Sequence, residues 1–344
     1  MAADTVKWTL HKSCYMDLDD EHTVPENYLS PNNYVKKNDE LANAINETVH
    51  IVKAWADRGA KKIDDSISFN PLIGQATKDA LKPLIGRGNY KDNAKDIRDK
   101  FKKLATLEGP IGKDGDARGR YEQSNAWKSL QENNDHYLDF VIVCRPELTI
   151  RKGDFNPLGA PYDMVRLTQL YKGADLEVMI LQEKDPGKWD ELAQRLQAVT
   201  TRDRDLSEVR LHVAETITFH PLWIKTQMDK GFEGWTQEIF DQATAANAAE
   251  ILKEKSKKNQ QDLRPVDILL DASFARNMFH EMFHLTAFGR MSDDIAGAYW
   301  WANNIELQNR ENPDLLAIIA VVIELLNREG SQYKISADGT VSQR

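Results

Sequence analysis

The chain has 344 residues, of which 41% are hydrophobic and 29% are charged, and its formal net charge is −9. Because 54 acidic residues outnumber 45 basic ones, the balance argues against nucleic acid as a general partner. The mean hydropathy of −0.58 excludes a polytopic membrane protein, and the longest apolar stretch, residues 315–323, is too short to span a bilayer. Two cysteines, Cys14 and Cys144, exclude a cysteine-rich disulfide or zinc scaffold.

Hydrophobic periodicity in the N-terminal third predicts helices. Apolar residues recur at helical spacing from Leu41 to Trp55, which predicts a helix that starts near residue 38 or 39 and is closed by Gly59. A weaker repeat of the same spacing predicts a second helix within residues 87–104, where mixed-sign charges indicate a solvated face.

The amino-acid composition changes in the middle of the chain. Residues 108–122 are rich in glycine and turn-forming pairs and are the best linker candidate. The β-rich runs 137–144, 176–181 and 209–213 predict strands, with a helix over 189–199 and an exposed helical stretch over 242–261. We therefore expect a mainly helical N-terminal part over 1–107, a loop or linker over 108–135, and a mixed strand and helix part over 136–344. One single domain over the whole chain is the alternative.

Residues that start or end helices and strands are more closely spaced in the last quarter of the sequence. The apolar run 266–270 predicts a short strand, and a helix follows it from Phe274 until Gly289 stops it. A last helix should start at Asn312 and Pro313, because proline suits the first helical position, and it should run to about Arg328. The fold class expected from all these elements is α+β with helices in the majority.

The predicted helix after residue 274 carries the spacing His280-Glu281-Met282-Phe283-His284. Two histidines four residues apart share one helix face, so their imidazoles can meet at a single ion. Glu281 would then take a proton from water activated by that ion and later pass it to a leaving amine. Zinc is the expected cofactor, because three protein ligands and one water form an open tetrahedral site. The alternative is an amphipathic core helix that carries two satisfied histidines.

The spacing of the motif alone does not identify the third protein ligand of the zinc ion. The pattern of the metzincins is excluded, because Ala287 and Arg290 occupy the places of its glycine and its third ligand. Glu306 would serve if the ligand came from a second helix downstream. Asp293, nine residues after His284, would serve if it came from the following loop, and Asp294 stands beside it.

At these residues the sequence resembles the aspzincins, the fungal deuterolysins and lysine-specific metallo-endopeptidases. Their pattern is HExxH followed by Gly-Thr-x-Asp-x-x-Tyr-Gly, and an alignment without a gap sets Asp293 on the ligand aspartate and Gly297 on the final glycine. The segment that starts at Asn312 is similar to the Asn-Ala-Asp segment before the family's last helix. Ala296 stands in the place of the tyrosine that steadies the oxyanion, and Tyr299 is the candidate to replace it.

The resemblance implies a zincin-like fold in which the HExxH helix follows a short strand, and a zinc-dependent endopeptidase that acts on proteins or peptides. His280, His284 and Asp293 would hold the zinc, Glu281 would be the general base, and Tyr299 would stabilise the oxyanion. The alternative is a secreted binding or adhesion protein that keeps a structural zinc site. No signal peptide is visible at the N-terminus, and the family implies secretion. In a secreted chain, Cys14 and Cys144 would form a disulfide; in a cytosolic chain they would be free.

Overall fold

The computed structural model describes residues 6, 8–10, 14, 39–70, 73–86, 88–108, 140–144, 197–201, 215–219, 223–224, 227–228, 230–232, 234–259, 262–291, 299–328 and 333–343. These form two compact units. Unit 1 combines residues 1–47 with 107–232, and unit 2 combines residues 48–106 with 233–344. The chain changes unit at three places: within the helix Asp39–Ser66, between residues 106 and 107, and between residues 232 and 233. Of the expected linker 108–135, only residue 108 is described.

Unit 1 contains a four-stranded sheet with the order β1-β2-β4-β3. The strands are β1 (Trp8–Leu10), β2 (Phe140–Val143), β3 (Ala198–Thr201) and β4 (Glu215–Phe219). β2 runs parallel to both β1 and β4, and β3 is antiparallel to β4. Cys14 and Cys144 form a disulfide beside this sheet, and both are buried. The cystine therefore joins the N-terminal segment to the end of β2.

Unit 2 is mainly helical. Most of α1 (Asp39–Ser66) belongs to it, with α2 (Gln75–Ile85), α3 (Tyr90–Leu104), α4 (Gln237–Thr244), α5 (Ala248–Asn259), α6 (Pro265–Asp271), α7 (Phe274–His284), α8 (Trp301–Leu307) and α9 (Pro313–Asn327). A two-stranded antiparallel hairpin, β5 (Tyr333–Ile335) and β6 (Val341–Gln343), follows α9. Among the described residues, no helix is both long and apolar enough to cross a membrane.

The helix-rich α+β class expected from the sequence is confirmed for the described residues. β2 lies within the predicted strand 137–144, α3 lies within 87–104, and α9 begins at Pro313, where Asn312 Oδ1 accepts a hydrogen bond from the backbone of Asp314. The predicted strands 176–181 and 209–213 lie outside the described residues. Residues 198–201, at the end of the predicted helix 189–199, form strand β3.

The short strand predicted before the HExxH helix is wrong, because residues 266–270 belong to helix α6. Pro265 occupies the first helical position, and the Asp267 side chain caps the helix by accepting a hydrogen bond from the Arg264 backbone at 2.7 Å. A short apolar run buried on several sides has no amphipathic period, so periodicity alone cannot distinguish a strand from a buried helix. The HExxH helix therefore follows another helix.

The predicted helix end at Gly59 is also wrong, because α1 continues to Ser66. Gly59 is buried, and a Cβ atom at this position would lie 2.5 Å from Cδ2 of Phe101. The glycine therefore allows α1 and α3 to approach closely and does not end the helix. A close helix contact and a helix stop leave the same signal in a sequence, which is a glycine at the edge of an apolar pattern.

α7 packs mainly against the apolar helix α9 and against an aromatic cluster. Phe279 and Phe283 lie four residues apart on one face of α7, with ring centroids 5.4 Å apart. Phe101 of α3 contacts both, with centroid distances of 5.2 Å and 6.3 Å. All three rings are buried. This packing fixes the rotation of α7 about its axis, and hence the direction of the neighbouring polar face, which lies about 100° around the helix.

Candidate metal centre

Local sequence sets both ends of α7. The Ser273 hydroxyl accepts a hydrogen bond from the Arg276 backbone at 3.2 Å and so caps the first turn. At the other end Leu285 is extended, and after a turn of 3-10 helix the chain reverses through Gly289 and Arg290, both with positive φ. The Met291 backbone N–H then donates to the Phe283 carbonyl at 3.0 Å. The loop after the helix is thus folded back against the last turn of α7.

The two histidines of the motif meet, as their spacing predicts. His280 and His284 have ring centroids 5.1 Å apart, and their Nε2 atoms face each other at 3.3 Å. His284 Nδ1 lies 3.1 Å from the Met291 carbonyl oxygen. Since a carbonyl oxygen only accepts, this Nδ1 carries the proton, and the Nε2 of a neutral His284 presents its lone pair to His280.

This donor set fits a metal cation. Because two lone pairs repel, the two imidazole Nε2 atoms that face each other at 3.3 Å are joined either by a hydrogen bond, when one of them carries a proton, or by a cation that both bind. A histidine ligand normally donates its other ring N–H to a carbonyl or carboxylate, which fixes the tautomer. The Met291 carbonyl does this for His284. Imidazole ligands of this kind suit zinc.

Two further predicted site residues lie beside the histidines. Glu281 follows His280 on α7 and is 8% exposed. The ring of Tyr299 stacks on the ring of His280, with centroids 6.0 Å apart and planes inclined by 22°. Tyr299 is 36% exposed, so part of its side chain is accessible to solvent. A half-exposed phenol next to a histidine pair is placed where it could meet a bound substrate.

The predicted third ligand, Asp293, lies outside the described residues, as do Asp294 and Gly297. The described residues on either side of them are Met291, whose carbonyl contacts His284, and Tyr299, which stacks on His280. Within the ranges that the structure describes, no group of three His, Cys, Asp or Glu side chains is arranged to hold a metal.

Glu306, the alternative third ligand, is exposed on α8. The buried residues of that helix are Trp301 and Asn304. The Trp301 indole donates to the Ala337 carbonyl, and the Asn304 amide donates to Asp314. Glu306 therefore lies on a different face of α8 from the residues that reach the centre.

Sequence reasoning missed two residues next to the centre. Arg276 and Asp314 form an ion pair, and their side chains are 7% and 1% exposed. Asp314 Oδ1 also lies 3.7 Å from His280 Nδ1. Arg276 could have been found, since it precedes His280 by four residues and so shares its helix face. Asp314 comes from α9, 34 residues after His280, and no local spacing connects the two.

Neither a family model, nor a curated protein sequence, nor a solved structure matches this chain.

Proposed function

We propose that this protein is a zinc-dependent endopeptidase of the aspzincin type, with a zincin-like catalytic unit, that hydrolyses peptide bonds in protein or peptide substrates. The observation that carries the proposal is the facing pair of Nε2 atoms of His280 and His284 on one helix, 3.3 Å apart, with Glu281 between them in the sequence. A histidine pair with an interposed glutamate on a helix is the arrangement that metallopeptidase chemistry requires.

The proposed ligands are His280, His284 and Asp293. Support for Asp293 comes from its spacing in the sequence, nine residues after His284, which is the place of the ligand aspartate in the aspzincin pattern. The Met291 carbonyl is itself 3.1 Å from a ring atom of His284. When bound, a zinc ion at this place would act as a Lewis acid that polarises the scissile carbonyl and makes water more acidic.

The chain's own groups would carry the protons and hold the charge. As water attacks the carbonyl carbon, the Glu281 carboxylate takes one of its protons. The same proton then goes to the amide nitrogen, so that the C–N bond breaks and an amine leaves. The Tyr299 hydroxyl would donate a hydrogen bond to the oxyanion that develops on the carbonyl oxygen. Its stacking on His280 supports this role.

The disulfide between Cys14 and Cys144 supports secretion. Disulfides persist in oxidising compartments and are rare in the reducing cytosol. We therefore propose that the enzyme works outside the cell, where its substrates would be proteins or peptides.

The test is digestion of a denatured protein by the purified chain, with and without a chelator, and identification of the cleavage sites by mass spectrometry. We expect cleavage that the chelator abolishes and added zinc restores. The matched control is Glu281→Gln, which should keep the metal and lose at least about 10²-fold in rate, because it removes the proton acceptor and not a ligand. Normal cleavage by this variant would show that Glu281 is not the base.

A second candidate is a non-enzymatic binding or adhesion protein that keeps the zinc site for structure. Ala296, in place of the tyrosine of the aspzincin pattern, favours it. Zinc content does not separate the two candidates, because both bind the ion. A zinc-loaded protein that cleaves no denatured substrate would favour the binding protein over the peptidase.

A further inference from the structure

A buried polar cluster joins the starts of α8 and α9 to the polar face of α7. At its centre is Asp314, in the first turn of α9. The Asn312 side chain fixes this turn: its Oδ1 accepts the Asp314 backbone N–H at 3.2 Å, and its Nδ2 donates to Asn304 Oδ1 at 2.9 Å. The start of α9 therefore holds the Asp314 carboxylate in one place.

One oxygen of this carboxylate faces the metal centre. Asp314 Oδ1 pairs with the Arg276 guanidinium and lies 3.7 Å from His280 Nδ1. Burying a carboxylate is costly unless it is paired, and Arg276 supplies the opposite charge. Arg276, His280 and His284 follow one another at intervals of four residues, so the same face of α7 carries the counter-ion and both histidines.

The other oxygen holds the segment that carries Tyr299. Asp314 Oδ2 accepts hydrogen bonds from the Trp300 backbone N–H at 3.1 Å and from Asn304 Nδ2 at 3.0 Å. Trp300 has φ +74° and ψ 166°, a strained conformation that non-glycine residues rarely adopt. Such a conformation persists only where neighbours enforce it, and the carboxylate is one of them. Tyr299, the preceding residue, is thereby held against His280.

We propose that Asp314 is a positioning residue that aligns two parts of the centre at once. Through Oδ1 it favours a proton on His280 Nδ1, so that the Nε2 lone pair points to the place where the metal binds. Through Oδ2 it fixes the backbone at Trp300, and with it the ring of Tyr299. This inference rests on the proposed function, since the alignment serves a bound zinc ion. Loss of a group that orients a metal ligand typically weakens metal binding about 10–100-fold.

The test compares Asp314→Asn with Asp267→Asn. Asparagine keeps the shape of Asp314 and can still accept from Trp300, but it removes the charge that faces Arg276 and His280. Asp267 is the matched control: it is also buried, and it accepts the Trp301 backbone N–H at 2.9 Å. For each protein the zinc dissociation constant is measured by competition with a chromogenic chelator. The visible absorption spectrum of the cobalt(II)-loaded protein and the melting temperature are recorded as well.

We expect Asp314→Asn to bind zinc about 10–100-fold more weakly than the wild type and to change the cobalt spectrum. Asp267→Asn should lower the melting temperature and leave the zinc affinity and the cobalt spectrum unchanged. An unchanged zinc affinity and spectrum in Asp314→Asn, or an equal loss of zinc affinity in both variants, would overturn the proposal. A wild-type protein that binds no zinc, or a His284→Ala variant that binds it normally, would instead contradict the proposed function.

A further variant covers the case in which Asp314→Asn does not fold. Asn304→Ala removes the donor to Oδ2, the hydrogen bond to the Trp300 carbonyl and the acceptor for Asn312 Nδ2, and leaves the carboxylate in place. The loss of the bond to Oδ2 alone corresponds to about a 2–10-fold effect, and we expect at least this change in the zinc dissociation constant together with a shifted cobalt spectrum. A folded Asn304→Ala protein with wild-type values of both would overturn the proposal.

Discussion

The two faces of α7 use the same helical spacing for different purposes. On one face, Arg276, His280 and His284 recur every four residues and meet polar partners. On the other, Phe279 and Phe283 are also four residues apart and meet the ring of a third aromatic residue. The polar face is stabilised by ion pairs and hydrogen bonds, whose strength depends on charge and direction. The aromatic face is stabilised by the burial of apolar surface.

This difference predicts that substitutions on one face change metal binding and substitutions on the other change the free energy of unfolding. The aromatic face sets the position of the helix, and the free energy of unfolding should therefore depend on it strongly. The polar face carries the proposed metal site, and its substitutions should alter metal binding more than folding. The variants below test whether the two faces are as independent as their contacts indicate.

The largest effect is expected for His284→Ala. With one imidazole gone, the proposed site keeps a single histidine, so the loss of zinc affinity should exceed the about 10–100-fold typical of orienting groups. The metal-free protein should lose about 1–3 kcal/mol, because the substitution removes the hydrogen bond to the Met291 carbonyl and the contact with His280 Nε2. Zinc content after dialysis against a chelator measures the loss of zinc affinity, and urea unfolding of the metal-free protein measures the loss of stability. His50→Ala, an exposed histidine of α1, is the control; if both variants keep zinc equally, the site is wrong.

The third ligand gives the next test of the polar face. We expect Asp293→Asn to lose zinc at submicromolar chelator, since a site with two neutral imidazoles as its only protein ligands has no carboxylate to hold the ion. Glu306→Gln and Asp294→Asn should keep it, and Glu306 is exposed on α8. Chelator titration followed by zinc analysis measures the difference. Zinc lost from the Glu306 variant and retained by the Asp293 variant would exclude the aspzincin type.

The sequence predicted those parts of the site that depend on local spacing. The interval between His280 and His284 predicted their facing rings, and the pair Asn312 and Pro313 predicted the start of α9, because caps and helix faces are local properties. Asp314 could not be connected to His280, since only the packing of α9 on α7 brings them together. The helix over 266–270 was mistaken for a strand, because burial on several sides removes the period that distinguishes the two.

On the aromatic face, Phe279→Ala should have the largest effect on stability. The ring is fully buried between Phe101 and Phe283, and Phe→Ala changes in a core typically cost 3–5 kcal/mol. Urea unfolding of the metal-free protein measures the loss. The zinc affinity of the fraction that remains folded should stay close to the wild-type value. A zinc affinity that falls in parallel with stability would show that the two faces are not independent.

The smallest expected effect concerns Glu324, a second buried carboxylate of α9, far along the helix from Asp314. Burial raises the pKa of Glu324 from its ordinary value of 4.5 to about 7, and the nearby Arg58 opposes this only in part. Its side chain is 8% exposed and that of Arg58 is 46% exposed, so solvent weakens the pairing. Unlike Asp314, Glu324 contacts no histidine of the centre in the part of the chain that the structure describes.

The sign of the pH dependence follows from the raised pKa. Below pH 4.5 the carboxyl is protonated in both the folded and the unfolded state and has no pH-dependent effect. Between about pH 4.5 and 7 the unfolded chain ionises first, so this group makes the folded state progressively less stable, by at most about 3 kcal/mol for a shift of this size. Glu324→Gln removes the ionisation and keeps an acceptor for Arg58. Urea unfolding at pH 5 and pH 8 should therefore find the variant more stable relative to the wild type at pH 8 than at pH 5, with the same zinc affinity at pH 8. An equal difference in the free energy of unfolding at both pH values would show that the Arg58 pair, and not burial, controls this carboxyl.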